Sequence, residues 1–441
     1  MLNMSIPNYF KQRRQQLVDS IDEGVFIFPS IQEGRGAVIN YLYRQDSSFY
    51  YLSGFDEADA CMAIVKTNNQ HKFILFAQDR EPSKELWDGE RYGLKRIKEV
   101  FSADEVYHLT DLEKELAKVL SEHKNVYYSY GHNEVFDKKV FSTLDIVRKM
   151  RGRSGKGLLT LKDPVEILGE LRIIKKTEEI EKIRRACDAS VIGHNAILSQ
   201  AKAGMTERQV EAIFEYNAKM NGCSKTGYSS IVAAGANATC LHYVRNSDEL
   251  KEGDLCLVDA GGEYDYYSAD ITRTFPVSGK FSQEQKEIYE LVLKAQKATI
   301  AALKPGVLYE NNYKVSCEVM TQGLIDLGIL HGSLEENLEK MTVKKFFPHN
   351  IGHWLGLDIH DVGLYLDEDG RSRTLQEGMF LTVEPGLYFN PEDDSYPEKY
   401  KGIGVRIEDD ILITADGHEN LTRGVPKEVE EIEAVRQHAF K

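Results

Sequence analysis

Short apolar runs bounded by polar and turn-forming residues characterise the first 150 positions of the chain. The runs GVFIFPS (24–30), ACMAIVK (60–66) and KFILFAQD (72–79) are rich in β-branched and aromatic residues, and each has the length of a strand. Between 111 and 123 the sequence DLEKELAKVLSEH instead repeats its apolar residues with a helical period and begins with an acidic turn. Together the two patterns predict an α/β domain.

Beyond this region the pattern becomes that of long amphipathic helices arranged in pairs. Thr177 is a candidate N-cap for a helix that reaches about Lys202, and Gly204 follows its end. Thr206 and Gln209 form a capping box, which predicts that a second helix starts immediately afterwards. This part of the chain therefore begins with a helical hairpin.

The same arrangement recurs further along the chain. Ser282 and Gln285 form another capping box at the start of a long helix that ends near Lys304, and a further helix follows. The glycines after the two long helices, Gly204 and Gly306, are 102 residues apart, and strand-like sequence follows each helix pair. The repeat predicts two structurally similar halves, although two unrelated helical hairpins would produce the same pattern.

Composition places the chain among globular proteins and argues against several classes of partner. At roughly 150 residues per domain, 441 residues correspond to two or three domains. The 70 acidic residues outnumber the 55 basic ones, and the net charge of −15 argues against nucleic acid and against an anionic membrane surface. The stretch MRGRSGKGLL (150–159) is predicted to be a solvated loop, because its Gly155-Lys156 pair lacks the flanks of a phosphate-binding loop.

The sequence also indicates a reducing compartment. It has no run of about 18 apolar residues, and its N-terminal residues lack the apolar core of a secretory signal. None of its six cysteines forms a Cys-x-x-Cys pair, which is typical of reduced, buried thiols. We expect a cytoplasmic protein without a membrane span.

Two acids in the segment CLVDAGGEYDYYSADITRTF (256–275) are candidates for a buried charged site. The segment is typical of two strands around a turn near Tyr264 and Asp265, which would place Asp259 and Asp270 opposite each other. A pair of solvated acids is less favoured, because Asp259 follows an apolar run suited to a buried strand. Two facing carboxylates repel unless positive charge lies between them.

A second candidate segment, FFPHNIGHWLGLDIHDVG (346–363), concentrates three histidines, His349, His353 and His360, within twelve residues. Its proline and glycines argue against a regular helix. Neither the cysteine pair of a zinc finger nor a His-Glu-x-x-His motif is present. A single histidine here would more often be a hydrogen-bonded structural residue, but the cluster favours a functional role.

Two further acids have apolar surroundings. Glu384 lies in MFLTVEPGLYF (379–389) and Glu408 in GIGVRIEDDILIT (402–414), so both are predicted to lie in strands and to be at least half-buried. Buried carboxylates are rarely tolerated without a partner, and Arg406 could neutralise one of them. With the two aspartates above and one histidine, however, they form an oxygen-rich set that suits two hard divalent cations, Mn²⁺ before Zn²⁺.

These motifs resemble those of the pita-bread metallopeptidases, and within that family the aminopeptidase P group. The matching runs are LHY (241–243), VDAGGEYDYYSADITRTFPVSGKF (258–281), HWLGLDIHDVG (353–363), LTVEPGLY (381–388) and GVRIEDD (404–410). In addition, RQDSSFYYLSGF (44–55) is similar to the signature of that group's N-terminal domain. The likeness extends from about residue 7 to about residue 435.

The resemblance implies a fold class and a set of site residues. It implies an α/β (α+β) protein with a smaller α/β N-terminal domain of the creatinase and aminopeptidase P type at 1–170 and a pita-bread catalytic domain with pseudo-twofold halves at 171–441. The implied ligands of two manganese ions are Asp259, Asp270, His353, Glu384 and Glu408, of which Asp270 and Glu408 bridge both ions. The residues implied to contact substrate or relay protons are His242, His349 and His360, and Arg406 is implied to support the site and the substrate.

The implied reaction removes the N-terminal residue from peptides with proline in the second position, using a hydroxide that bridges the two metals. Glu384 would pass a proton from this nucleophile to the proline nitrogen, while His360 and His242 would stabilise the developing oxyanion. Trp87 resembles a position that reaches a neighbouring subunit's site, which implies a homo-oligomer, either a dimer or a tetramer.

Three alternative functions remain open. A Xaa-Pro dipeptidase shares the fold and the ligands. A methionine aminopeptidase has the same ligand types but leaves an N-terminal domain of about 170 residues unexplained. A non-catalytic pseudo-peptidase that binds partners would be expected to have lost ligands, and every implied ligand is present.

Overall fold

A computed structural model describes residues 6–31, 42–68, 70–154 and 160–439. The chain divides into two compact units, Met1–Leu171 and Arg172–Lys441. Within the described ranges, no helix combines the length and the hydropathy that crossing a membrane requires.

A mixed sheet forms the centre of the N-terminal unit. Its strands are β1 (Gly24–Pro29), β2 (Cys61–Thr67), β3 (Gln70–Ala77), β4 (Glu105–His108), β5 (Asn125–Tyr127) and β6 (Thr160–Lys162). Their order across the sheet is β4-β3-β2-β1-β5-β6. Strands β1, β2 and β3 pair antiparallel, whereas β4, β5 and β6 join the edges in parallel. The three strands predicted from apolar runs are confirmed as β1, β2 and β3.

Helices flank this sheet, and apolar side chains from two of them pack with those of the strands in one hydrophobic core. They are α1 (Asn8–Asp19), α2 (Ser47–Ser53), α3 (Pro82–Asp88), α4 (Gly93–Phe101), α5 (Leu112–Ser121) and α6 (Glu134–Arg151), followed by α7 (Val165–Ile173). The predicted helix at 111–123 is α5, whose Leu112, Leu116 and Leu120 pack with strand residues such as Val25 and Ile74. Helix α6 includes the first two residues of the predicted loop at 150–159. Residues 155–159, with the Gly155-Lys156 pair, lie outside the described ranges.

Two helical hairpins organise the C-terminal unit. Its helices are α8 (Thr177–Gln200), α9 (Glu207–Met220), α10 (Gln283–Ala302), α11 (Glu310–Asp326), α12 (Leu334–Glu339) and α13 (Val429–Ala439). The capping boxes Thr206–Gln209 and Ser282–Gln285 are confirmed. The predicted N-cap Thr177 is wrong by one residue. Lys176 is the N-cap instead, because its backbone N–H donates to the Glu179 side chain at 3.1 Å, as in a capping box.

Each helical hairpin precedes an antiparallel ladder that is interrupted once. The strands are β7 (Lys225–Thr226), β8 (Ile231–Ala234), β9 (Leu255–Asp259), β10 (Gly262–Tyr264), β11 (Tyr267–Ser268), β12 (Thr272–Pro276), β13 (Phe380–Val383), β14 (Gly386–Tyr388), β15 (Gly404–Arg406), β16 (Asp409–Thr414) and β17 (Gly417–Asn420). In the first half β9 pairs with β12 and β10 pairs with β11. In the second half β13 pairs with β16 and β14 pairs with β15. The predicted repeat is confirmed.

The turn of the first ladder lies one residue later than predicted. Asp265 and Tyr266 have φ values of +46° and +74°, as a type I′ two-residue hairpin requires. Moving a turn by one residue moves every cross-strand pair by two. Thr272 therefore lies opposite Asp259, and the prediction that Asp270 faces Asp259 directly is wrong by two positions.

The interruptions of the two ladders coincide with the candidate acids. Asp270 lies in the gap between β11 and β12, Glu384 directly follows β13, and Glu408 lies between β15 and β16. The prediction that the two glutamates lie within strands is therefore wrong in detail. At each gap the chain passes from one pair of strands to the next. In both ladders an acid lies in or directly beside the gap on each of the two paired chain segments.

Gly261 lies in the gap of the first ladder, where the two sides of the hairpin approach closely. A Cβ atom there would lie 1.7 Å from the carbonyl oxygen of Ala269. We predict that Gly261→Ala lowers the free energy of unfolding by about 2 kcal/mol or more, because backbone atoms must move apart. Thermal and urea unfolding would measure this loss.

Gly417 provides the matched control. It begins a strand of the second half, and an added Cβ would meet no atom within 4 Å. Gly417→Ala should change stability by no more than about 0.5 kcal/mol. Equal stability of the two alanine variants would contradict the close approach described for Gly261.

Candidate metal centre

Three side chains in the C-terminal unit converge closely enough to share one metal ion. Asp270, His353 and Glu408 each offer a ligand atom, and these atoms all lie within 4.8 Å of one another. Asp270 belongs to the first half, while His353 and Glu408 belong to the second. The cluster therefore forms where the two interrupted ladders meet.

Asp259 joins this cluster through a tyrosine that the sequence analysis did not identify. The Tyr228 hydroxyl lies within hydrogen-bond distance of both Asp259 and Asp270, at 2.5 Å from the latter. Asp259 is 8% exposed and Asp270 4%. Burial raises the pKa of Asp259, although the nearby Arg406 opposes the change. No local motif distinguishes Tyr228, which precedes Asp259 by 31 residues.

Glu408 is the most buried of the four acids. Burial raises the pKa of its carboxyl well above the ordinary value, and the carboxylates of Asp270, Glu384 and Asp259 raise it further. The Thr272 hydroxyl donates a hydrogen bond of 2.6 Å to one Glu408 oxygen. Thr272 lies opposite Asp259 in the first half, and Glu408 belongs to the second half. A residue of one half therefore orients an acid of the other.

Glu384 completes the set of acids at its more accessible side. Its side chain is 16% exposed, and burial raises its pKa to about 7 even though His353 and Arg406 oppose the change. One Glu384 oxygen lies 3.5 Å from His353 Nε2, and the other lies 3.7 Å from His349 Nδ1. The acid therefore stands between a candidate metal ligand and a candidate substrate contact.

The His353 ring is oriented with one nitrogen toward the acids. Nδ1 lies 3.1 Å from the carbonyl oxygen of Trp354, and a carbonyl can only accept, so Nδ1 carries the hydrogen. Nε2 lies 3.5 Å from both Asp270 and Glu384. Burial lowers the pKa of His353, but these two carboxylates raise it to about 9. A backbone carbonyl behind a histidine is the usual support of a metal-bound imidazole.

The other histidines lie around this centre rather than in it. His360 is exposed, and its ring centroid is 4.4 Å from that of His353. His349 is 2.9 Å from the Tyr388 hydroxyl, and burial lowers its pKa to about 3. His242 is exposed on a separate segment, and its charge would lower the pKa of both His349 and His360, so it lies near them.

Arg406 is engaged with protein groups. Its guanidinium donates to Asp259 at 2.6 Å, to the Tyr388 hydroxyl at 3.1 Å and to the Thr272 hydroxyl at 3.2 Å. The side chain is 5% exposed. This arrangement supplies the fixed positive charge that Asp259 requires and links the acids to the His349–Tyr388 pair.

A buried ionic cluster holds the loop between His353 and His360. Asp361 contacts both Arg172 and Lys175, the latter at 2.6 Å, and these two cations outweigh burial and lower its pKa. The Asp361 N–H donates to the same Trp354 carbonyl that orients His353. No local motif in the sequence indicates this cluster, because Asp361 and its cations are almost 190 residues apart.

The donor chemistry fits a divalent metal. Four carboxylates and one imidazole are predominantly hard donors, and Arg406 and His353 are the cationic groups that directly contact these acids in the described chain. Burial and the neighbouring carboxylates raise the pKa of three of the acids, and the nearby cations offset only part of this rise. A bound divalent cation would provide further positive charge.

Comparison with known proteins identifies the family. Residues 181–415 match the model of metallopeptidase family M24, and residues 10–127 match that of the aminopeptidase P N-terminal domain. The chain belongs to metallopeptidase family M24. The Xaa-Pro aminopeptidase of Escherichia coli is 39% identical over 98% of both chains.

Solved structures show the same fold as this M24 metallopeptidase. The Pseudomonas aeruginosa aminopeptidase PepP is similar with a TM-score of 0.94 and 38% identity over 99% of both chains. The zinc-substituted aminopeptidase P of E. coli in complex with product is similar with the same score and identity, over 99% of this chain and 100% of that one. Both predicted fold types, an aminopeptidase P N-terminal domain and a pita-bread catalytic domain, are confirmed.

We predict that Asp361→Asn destabilises this unit by about 3 kcal/mol or more. Removing the charge leaves Arg172 and Lys175 buried without their shared carboxylate, and breaking a buried ion pair from one side is strongly unfavourable. Urea unfolding of the metal-loaded protein would measure the loss.

Asp358→Asn is the matched control for this prediction. Asp358 contacts the same Arg172 at 2.7 Å, but its side chain is 40% exposed. Its loss should cost less than about 1 kcal/mol. If the two variants were equally stable, the buried cluster would not be what holds the loop.

Proposed function

We propose that this protein is a Xaa-Pro aminopeptidase, which hydrolyses the bond between the first residue of a peptide and a proline in the second position. The observation that carries the proposal is similarity to the E. coli Xaa-Pro aminopeptidase along essentially the whole of both chains. The buried acids and histidine at the junction of the two halves support it, since they form a donor set for a metal-dependent hydrolase.

The proposed cofactor is a pair of divalent ions, with Mn²⁺ preferred. Asp259, Asp270, His353, Glu384 and Glu408 would hold them, with Asp270 and Glu408 shared between both ions. Carboxylate oxygens dominate this set, which favours a hard cation. When bound, such ions supply Lewis acidity, which lowers the pKa of water and polarises a carbonyl group.

The side chains around the acids would handle the substrate and its protons. Glu384 would carry a proton to the leaving proline nitrogen, a role supported by its being the most exposed of the four acids and by its position beside His349. His360 and His242 are exposed and would donate hydrogen bonds to the scissile carbonyl as it gains negative charge. Arg406 would hold Asp259 and Tyr388 in place rather than move during the reaction.

The remaining expectations concern the assembly and the compartment. Trp87 is 85% exposed in the N-terminal unit, which supports the proposal that it is used between subunits of a homo-oligomer. All six cysteines are unpaired, which agrees with a reducing, cytoplasmic location. A Xaa-Pro dipeptidase is the second candidate, but no observation on this chain favours it over the aminopeptidase.

Removal of metal should abolish activity, and Mn²⁺ should restore it. Dialysis against a chelator leaves the crowded acids without compensating charge, so the melting temperature of the C-terminal unit should also fall.

Glu408→Gln keeps the shape of the side chain and removes one negative charge, so metal content and activity should fall by orders of magnitude. Metal analysis and peptide hydrolysis would measure both.

Glu392→Gln is the control for this experiment, since Glu392 is exposed and none of the contacts of the described residues joins it to a proposed ligand. It should leave metal content and rate unchanged. Full activity in a metal-free sample would reject the metal-dependent function. Wild-type metal content and rate in Glu408→Gln would reduce Glu408 to a structural acid.

Ala-Pro-Ala should be cleaved to Ala and Pro-Ala with a kcat/KM at least about tenfold above that for Ala-Pro, a transition-state difference of about 1.4 kcal/mol. A dipeptidase must recognise the free carboxylate of proline, whereas an aminopeptidase must leave the channel open beyond it. Ala-Ala-Ala should be poor, because a pocket shaped for the pyrrolidine ring loses contact with a smaller side chain. Chromatographic separation of products gives these rates. Cleavage of Ala-Pro alone would establish the dipeptidase instead.

A further inference from the structure

His242 is carried by a segment with little regular structure. The segment joins β8 to β9 and contains a short single-turn helix at Gly235–Thr239, followed by irregular backbone. His242 itself is exposed. An exposed ring on irregular backbone needs support from elsewhere if it is to meet a substrate in one fixed position.

One buried carboxylate receives hydrogen bonds from both sides of this segment. Glu207 is the first residue of α9 and is fully buried. One of its oxygens accepts from the Ala234 N–H at 2.8 Å and from Asn237 Nδ2 at 3.0 Å. The other accepts from the Tyr243 hydroxyl and from the Asp248 N–H, both at 2.9 Å. Two donors therefore precede His242 in the chain and two follow it.

Further contacts hold the same segment against the metal centre. A Cβ on Gly404 would lie 2.2 Å from the carbonyl oxygen of Ala238, so β15 packs directly on the segment's backbone. The last residue of β15 is Arg406, which binds Asp259. Beyond His242, the buried Asn246 side chain accepts from the Val232 N–H at 3.0 Å and donates to the Ser230 carbonyl at 2.8 Å.

We propose that Glu207 is a positioning residue for catalysis, which acts by holding His242 toward the substrate. Its position at the start of α9 suits a negative charge, because the N-terminal end of a helix carries positive potential. Among the contacts of the described residues, none joins Glu207 to a proposed metal ligand. The proposal rests on the function proposed above, because it assumes that His242 contacts the substrate.

The four partners require a carboxylate in particular. All of them are donors, and each oxygen of Glu207 accepts two of them. In Glu207→Gln an amide nitrogen replaces one oxygen, so two donors lose their acceptor whichever way the amide is turned. We expect kcat/KM for Ala-Pro-Ala to fall by about tenfold, with metal content unchanged. Glu211→Gln, one turn further along α9, is the control and should retain wild-type kinetics.

A double-mutant cycle with His242→Ala separates positioning from a general structural role. If Glu207 acts through His242, Glu207→Gln should reduce kcat/KM by less than about twofold once His242 is alanine. Tyr243→Phe removes a single donor beside His242 and disturbs folding less. It should show a smaller loss with the same dependence on His242, and it carries the test if Glu207→Gln does not fold.

The outcomes distinguish the two proposals. Equal losses from Glu207→Gln, or from Tyr243→Phe, in the presence and absence of His242 would overturn the positioning role while leaving the peptidase intact. Wild-type kinetics in both variants would overturn it as well. A metal-loaded wild-type protein that cleaves no Xaa-Pro peptide would overturn the proposed function and this inference with it.

Discussion

The free-energy cost of burying several carboxylates together determines how the C-terminal unit is built. Asp259, Glu384 and Glu408 all have raised pKa values, because burial and mutual repulsion disfavour their charged forms. Arg406 and His353 offset only part of this cost. The surrounding protein must hold the acids together against their repulsion, and a divalent cation must balance them.

A comparison of two adjacent residues shows how strongly the partners decide the outcome. Glu408 and Asp409 are both buried, yet the pKa of Glu408 is raised and that of Asp409 is lowered. Asp409 has two cations as partners, Arg273 at 2.7 Å and Lys427 at 2.6 Å. Its neighbour instead faces other acids. Asp409 is thus a structural anion, whereas Glu408 is one of the residues proposed to bind metal.

The interrupted ladders explain how two sheets can direct their acids to one place. A continuous ladder would distribute side chains alternately over two faces. Each interruption ends this regular alternation, and glycine allows close backbone approach in the first ladder and beside β13. A Cβ on Gly261 would collide with Ala269, and one on Gly352, next to His353, would lie 2.1 Å from the carbonyl oxygen of Thr382. Both halves have an interrupted ladder, and acids from each half lie at their junction.

The sequence by itself determined the features that depend on near neighbours in the chain. The capping boxes at Thr206 and Ser282 operate over three residues, short apolar runs predicted β1, β2 and β3, and helical periodicity predicted α5. The identity and order of the candidate ligands could also be predicted, because each lies in a distinctive local motif. The N-cap of α8 failed by one residue, since a capping side chain from inside the helix decided it.

Only the tertiary structure decided which distant residues meet. The cross-strand partner of Asp259 depended on the position of a turn, and an error of one residue there moved the pairing by two. Tyr228, Asp361 and Glu207 carry no local signature, because their partners lie about 30 to 190 residues away. Caps and apolar periodicity involve residues a few positions apart, whereas these contacts form only when segments distant in the chain have packed together and brought buried polar groups within reach of one another.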